Sequence, residues 1–186
     1  MTVPQKKLDL ILDGCRKNKR AAQRALYQHF YSYGLTICLH YGRNREEAEE
    51  ILHDGFLRVF QNIKQYKGSA PFRAWFRRIL VNVAIDYARK YPLRINQSKV
   101  IPIENSQSNE ALRKLEQEDA WKILQKLSPA YRIVFNLFVM EDFTHAEIAK
   151  ELGISVGASK SNLARAKEKL RTIAGPFYQI KQAPNA

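Results

Sequence analysis

Apolar residues in this chain recur at steps of three and four and nowhere at steps of two, which predicts helices and no sheet. Ala22, Leu26, Phe30, Tyr33 and Ile37 trace one such face. Asn44 followed by Glu47 reads as a capping box, and Glu46 and Glu47 suit the positive end of a helix dipole. The helix opened there presents Ala48, Ile51, Leu52, Gly55, Phe56, Val59, Phe60 and Ile63 inward. A turn at Lys67–Gly68–Ser69 leads into another helix, with Pro71 in its first turn and Phe72, Phe76, Ile79, Leu80, Val83 and Tyr87 on its inner face.

The helical period fails between residues 91 and 110. Pro92 and Pro102 bias their predecessors away from helix, and 105–109 is a run of Asn, Ser and Gln. A stretch of about 20–25 such residues is too long for a loop inside a compact domain. The expected fold class is therefore all-α: two small helical domains joined by a flexible linker, the second containing a helix-turn-helix. The expected boundaries are 1–90, a linker over 91–115, a second domain over 116–176, and a tail over 177–186. In the second domain Trp121, Leu124 and Leu127 resume the pattern, and Ser128–Pro129 caps a helix carrying Ile133, Val134, Leu137 and Phe138. Thr144–Glu147 is a second capping box, opening a short helix that Gly153 ends in a left-handed conformation. Ser155 caps a last helix with Val156, Ser159, Leu163, Ala166, Leu170 and Ile173 inward. Ser159 is the exception there, polar where a branched apolar side chain is usual.

Charge adds what periodicity cannot. Lys and Arg number 31 against 18 Asp and Glu, a formal net charge of +13. Residues 58–90 carry eight basic side chains against Asp86, and 153–186 carry six against Glu168. Residues 43–57 are the opposite, with five acids against Arg43 and Arg45. Two basic zones predict contact with a polyanion at two places. No apolar run nears the roughly 20 residues of a membrane span, and residues 1–13 lack a signal-peptide core, so a cytoplasmic protein without membrane insertion is expected. Cys15 and Cys38 make neither a disulfide framework nor a zinc site. His29, His40, His53 and His145 lie far apart, and no phosphate loop, nucleophile elbow or HExxH is present. Neither enzymatic chemistry nor a cofactor or metal is expected.

The stretch Ile148–Ala149, Leu152–Gly153–Ile154–Ser155 and Leu163 has the spacing of a helix-turn-helix, with a small residue where the helices cross and glycine at the turn. Its second helix exposes Lys160, Ser161, Ala164, Arg165, Glu168 and Arg171, with Lys167 at the edge, and these cations and Ser161 suit phosphates and base edges. Upstream, Tyr66 to Arg78 interleaves aromatic rings with cations, Arg77 and Arg78 among them. Trp75, Arg78, Asn82, Asp86 and Arg89 step along a second, polar face of that helix. A Trp among guanidiniums can stack on unpaired bases, and Asn82 offers a donor and an acceptor to a base edge.

Three segments in order resemble a known family: 47–60 (Glu47 to Phe60), 72–90 (Phe72 to Lys90), and 143–155 (Phe143 to Ser155) continuing to Leu170. Together they resemble an alternative bacterial sigma factor of the extracytoplasmic-function (ECF) group, sigma-70 family, in its short two-domain form. The resemblance implies that the first segment docks on core RNA polymerase, with Glu47, Glu50, His53, Asp54 and Phe56 as contacts. It implies that the second melts the minus-10 element and holds the non-template strand, a flipped base being received near Lys67, Phe72 and Asn82. It implies that the third reads the minus-35 duplex, and that an anti-sigma factor can be a further partner. His53 stands where the family commonly has Gln, and Phe60 where it often has Trp. A helix-turn-helix regulator that acts without polymerase would have no use for the Trp75–Arg89 stripe, and a recombinase would need a nucleophile or a metal site.

Overall fold

The computed structural model describes residues 5–90 and 123–182. Residues 91–122, which hold the expected linker and Trp121, lie outside the described residues, as do 183–186. Every described element is a helix, and no strand occurs among the described residues. The chain divides into two compact units, Met1–Tyr87 and Ala88–Ala186.

The first unit opens with a helix that the sequence reading did not anticipate, α1 (Gln5–Arg16). It buries Leu8, Leu12 and Cys15, spaced four and three apart on one face. Asn18 turns the chain with φ at 54°, and the Lys19 N–H donates to the Gly14 carbonyl at 3.0 Å. Helix α2 (Arg20–Leu39) follows, burying Leu26, Phe30, Leu35, Ile37 and Cys38. Helix α3 (Arg45–Asn62) ends in a single 3-10 turn, Ile63–Gln65. Helix α4 (Phe72–Lys90) starts one residue after Pro71, so the proline precedes the first turn rather than joining it.

Helices α2, α3 and α4 meet around phenylalanines. Phe30 lies 4.9 Å from Phe72, and Phe56 lies 5.0 Å from Phe76, centroid to centroid. Each such ring contributes about 1.5–3 kcal/mol when fully buried. The helices approach closely because Gly34 has no side chain: a Cβ there would stand 2.5 Å from Leu52 Cδ1 and 3.1 Å from the Phe76 ring.

The second unit runs from the helical residues 123–125 through α5 (Pro129–Val139), α6 (His145–Leu152) and α7 (Val156–Gln182). It buries Leu124, Leu127, Ile133, Val134, Leu137, Ile148, Leu163 and Ala166, and Leu124, Leu127 and Ala166 form a cluster against which Tyr131, Phe135 and Leu170 pack. Ser128 caps α5, accepting from the Tyr131 N–H at 3.4 Å, with Pro129 in the first turn. Ser155 caps α7 by accepting from the Ala158 N–H at 3.0 Å. Val156, expected inward, is 42% exposed. Helical side chains lean over the turn that precedes them, and at the first residue of α7 no turn precedes.

Candidate nucleic-acid interface

Helix α3 keeps one outward stripe, Glu46, Glu50, His53, Asp54, Leu57 and Gln61, spaced as one helix face. Tyrosines from neighbouring helices fix several of its groups. The Tyr87 hydroxyl donates to Glu50 Oε2 at 3.1 Å, and Tyr27 Oη lies 3.0 Å from His53 Nε2. Beside the stripe, the Tyr31 hydroxyl donates to Glu49 Oε1 at 3.1 Å, while Arg45 pairs with the same oxygen at 2.9 Å. Burial, together with that carboxylate, holds the Tyr31 hydroxyl above its usual range. Of the five expected docking residues, Glu50, His53 and Asp54 face outward, whereas Glu47 and Phe56 are buried. The Asn44 side chain accepts from the Glu47 N–H at 2.9 Å, as a cap should. The Glu47 carboxylate, however, reaches past Asn44 to accept from the Arg43 N–H at 2.9 Å and to bind the Arg43 guanidinium. Phe56 packs on Phe76 and on Tyr27, 4.6 Å away. Leu57, absent from the sequence-based set, is 59% exposed within the acidic stripe. Its phase, three residues from Asp54 and two from the buried Gly55, was the available signal.

Helix α4 presents Arg73, Arg78, Asn82 and Arg89 to solvent, with Arg77 half-buried and Lys67 exposed on the preceding loop. Asp86, the acid of this zone, pairs with Arg58 at 2.8 Å, so the basic face carries no uncompensated carboxylate. Phe72 lies on the inner face, as its spacing predicts, while Trp75 sits deeper than the polar face assigned to it. Phe72 is buried, and Trp75 is half-buried against Tyr66 and Phe72, at 5.2 and 5.6 Å. Trp75 thus edges an aromatic cluster rather than standing on an open stripe. Arg73, which the sequence reading left out of the site, stacks its guanidinium 4.1 Å from the centre of the Tyr33 ring.

In the second unit, α6 and α7 form the helix-turn-helix. Thr144 Oγ1 accepts from the Glu147 N–H at 3.2 Å, and Glu147 Oε2 accepts from the Thr144 N–H at 2.8 Å and its hydroxyl at 2.7 Å. Those bonds hold the Glu147 carboxyl below the usual carboxylate range. Gly153 takes φ of 66°, and the Ile154 N–H donates to the Ala149 carbonyl at 3.0 Å, closing the turn. Lys160, Ser161, Arg165 and Lys167 are all exposed on α7. Arg165 Nη1 donates to the Tyr131 hydroxyl of α5 at 3.3 Å, and the Lys167 ammonium lies 5.8 Å from the centre of the Phe138 ring. Two of the four cationic and polar groups are therefore steered by aromatic residues of α5.

Cys15 and Cys38 are free and buried, and burial pushes their thiols up to about 11 and about 12. Among the described residues no group of three or more His, Cys, Asp or Glu is placed to hold a metal ion. No described helix is long and apolar enough to cross a membrane.

Residues 26–91 match the family model for sigma-70 region 2, and residues 117–170 match that for sigma-70 region 4. The ECF RNA polymerase sigma factor SigW of Bacillus subtilis is 31% identical over 153 residues, covering 73% of this chain and 79% of that protein. The ECF RNA polymerase sigma factor SigE of Mycolicibacterium smegmatis is 26% identical over 135 residues, covering 69% of this chain and 52% of that one. The solved structure of the sigma factor RpoE in complex with the anti-sigma factor NepR from Bartonella quintana is 21% identical. It matches with a TM-score of 0.46 over 92% of this chain and 96% of that one. With two sigma-70 regions in order and this identity to SigW, the chain belongs to the sigma-70 family, among the ECF RNA polymerase sigma factors.

Proposed function

We propose that this sigma factor docks on core RNA polymerase through α3 and contacts promoter DNA at two places, in the cytoplasm where polymerase works. The proposed division of labour is residues 1–90 for docking, minus-10 recognition and melting, 91–115 as a linker, 116–176 for the minus-35 element, and 177–186 as a tail. The observation that carries this reading is the segregation of charge within the first unit. An outward acidic stripe on α3 and an outward basic face on α4 cannot both serve the same polyanion. The acidic stripe suits a basic protein surface, and the basic face suits phosphates.

In this reading Glu50, His53 and Asp54 meet the polymerase with Leu57 as the apolar contact among them. Glu47 and Phe56 act from beneath, one fixing the start of α3 and the other its packing on α4. On the DNA side, Lys67, Arg77, Arg78 and Arg89 neutralise phosphates while Asn82 and the exposed edge of Trp75 face the unpaired strand. Phe72 supports that surface from the core. Lys160, Ser161, Arg165 and Lys167 approach the minus-35 duplex.

The docking half is tested by gel filtration and titration with core polymerase. The chain should co-elute with core, and the double variant Glu50→Lys, Asp54→Lys should bind about tenfold more weakly. Unchanged affinity in that variant would show that α3 is not the docking face.

A further inference from the structure

The exposed loop 67–71 between the 3-10 turn and α4 contains Gly68 at φ of 77° and no helical residue. A loop of this kind loses conformational freedom when it must present a fixed shape, so something has to hold it beforehand if it is to select a ligand sharply. One residue, Tyr66, holds it from three sides. Its backbone carbonyl accepts from Arg16 Nη2 at 2.9 Å, a bond that reaches across fifty positions of sequence to α1. Its hydroxyl donates to the Ala70 carbonyl at 2.7 Å, bracing the far end of the loop. Its ring packs against Trp75 at 5.2 Å and Phe72 at 5.5 Å, tying the loop to the first turn of α4.

Arg16 is itself aimed. Asp13, one turn earlier on α1, pairs with Nη1 at 2.6 Å and leaves Nη2 for the Tyr66 carbonyl. Helix α1 is fixed in turn by buried Leu8, Leu12 and Cys15. It lies wholly before residue 26, where the region 2 match begins.

We infer that α1 belongs to the strand-capturing element, with Arg16 and Tyr66 as positioning residues that hold loop 67–71 in the shape that receives an unpaired promoter base. The inference rests on the proposed minus-10 role of that loop. Neither residue needs to touch DNA for this; Arg16 acts through one bond to Asp13 and one to the Tyr66 carbonyl. Tyr66 converts that anchor into a fixed distance between the two ends of the loop.

The test uses holoenzyme made from core polymerase and the full chain, on a promoter obtained by in vitro selection. The probes are four single-stranded oligonucleotides of its non-template minus-10 segment, differing at the captured base. Wild-type holoenzyme should prefer one base. Arg16→Ala and Tyr66→Phe should each lose about tenfold of that preference, with affinity for core unchanged. Lys17→Ala, which removes a neighbouring exposed cation, should keep it. If Arg16→Ala does not fold by circular dichroism, Tyr66→Phe decides, because it removes a single oxygen. Full preference in both variants, or an equal loss in Lys17→Ala, overturns the inference and leaves the sigma-factor reading standing. A wild-type holoenzyme that selects no base overturns the minus-10 role of the loop and the inference with it.

Discussion

Ser159 Oγ lies 2.9 Å from Nδ1 of His145, joining the first residue of α6 to the inner face of α7. Ser159 is fully buried, so this bond satisfies a hydroxyl that would otherwise be costly inside the helix-turn-helix. The His145 ring in turn stacks on Phe138 of α5, with centroids 4.6 Å apart. A polar residue at an inward position is thus the junction of all three helices. Ser159→Ala should destabilise the second unit by roughly 1 kcal/mol, lowering its thermal midpoint by about 4–8 °C. Calorimetry of the full chain checks this, and an unchanged midpoint would mean that the bond adds nothing.

The capping box of α6 makes a prediction in pH. Its hydrogen bonds depress the Glu147 carboxyl in the folded state, so the stabilisation it brings exists above the unfolded value and is lost as pH falls through the depressed one. Glu147→Gln keeps the shape without the charge. The midpoint difference between wild type and this variant should be present at neutral pH and vanish well below pH of about 4. A constant difference across that range would contradict the assigned cap.

Two glycines should respond in opposite directions to the same substitution. Gly34→Ala places a methyl against Leu52 and the rigid Phe76 ring, both fully buried. Overpacking of about 1–3 kcal/mol should outweigh the roughly 1 kcal/mol gained in helix propensity, for a net loss near 1. Gly157→Ala meets nothing closer than Ser155 Oγ at 3.8 Å and should gain about 0.5 kcal/mol. Urea denaturation of the two variants measures both signs.

The two surfaces proposed to meet DNA should separate in their salt dependence. Arg165→Ala and Lys160→Ala in holoenzyme should each lower the slope of log affinity against log salt on promoter duplex by about 1. Asn82→Ala carries no charge change, so the slope should hold while permanganate reactivity of opened thymines falls about tenfold. Loss of slope in Asn82→Ala, or none in the cation variants, would reverse the assignment.

Helices α2 to α7, the Asn44 cap, the Thr144–Glu147 box and the Gly153 turn are legible because they depend on residues close in sequence. Helix α1 was missed, since its apolar positions Leu8, Leu12 and Cys15 are few and sit among lysines and exposed Leu10. Ser159 looked wrong for its position because its partner His145 lies fourteen residues away. Trp75 shows the same limit at the site, whereas Phe56 and Phe72 are buried on the faces their spacing gives them. Sequence places an aromatic residue on a helix face, but only the neighbouring helices decide whether that face is open or filled. Asn44 does cap the Glu47 N–H, but the Glu47 carboxylate binds Arg43 instead of the Asn44 N–H, so the expected box stays half-formed and that charge is not open to a partner. The link from Arg16 to Tyr66 is not legible, because a bond between a side chain and a distant carbonyl leaves no pattern in sequence.

Run-off transcription on a selected promoter, with core polymerase and the purified chain, tests the central claim most directly. Core and chain together should initiate at one defined position that neither uses alone. No position-specific transcript, with the free chain binding the same duplex unaided, would contradict it.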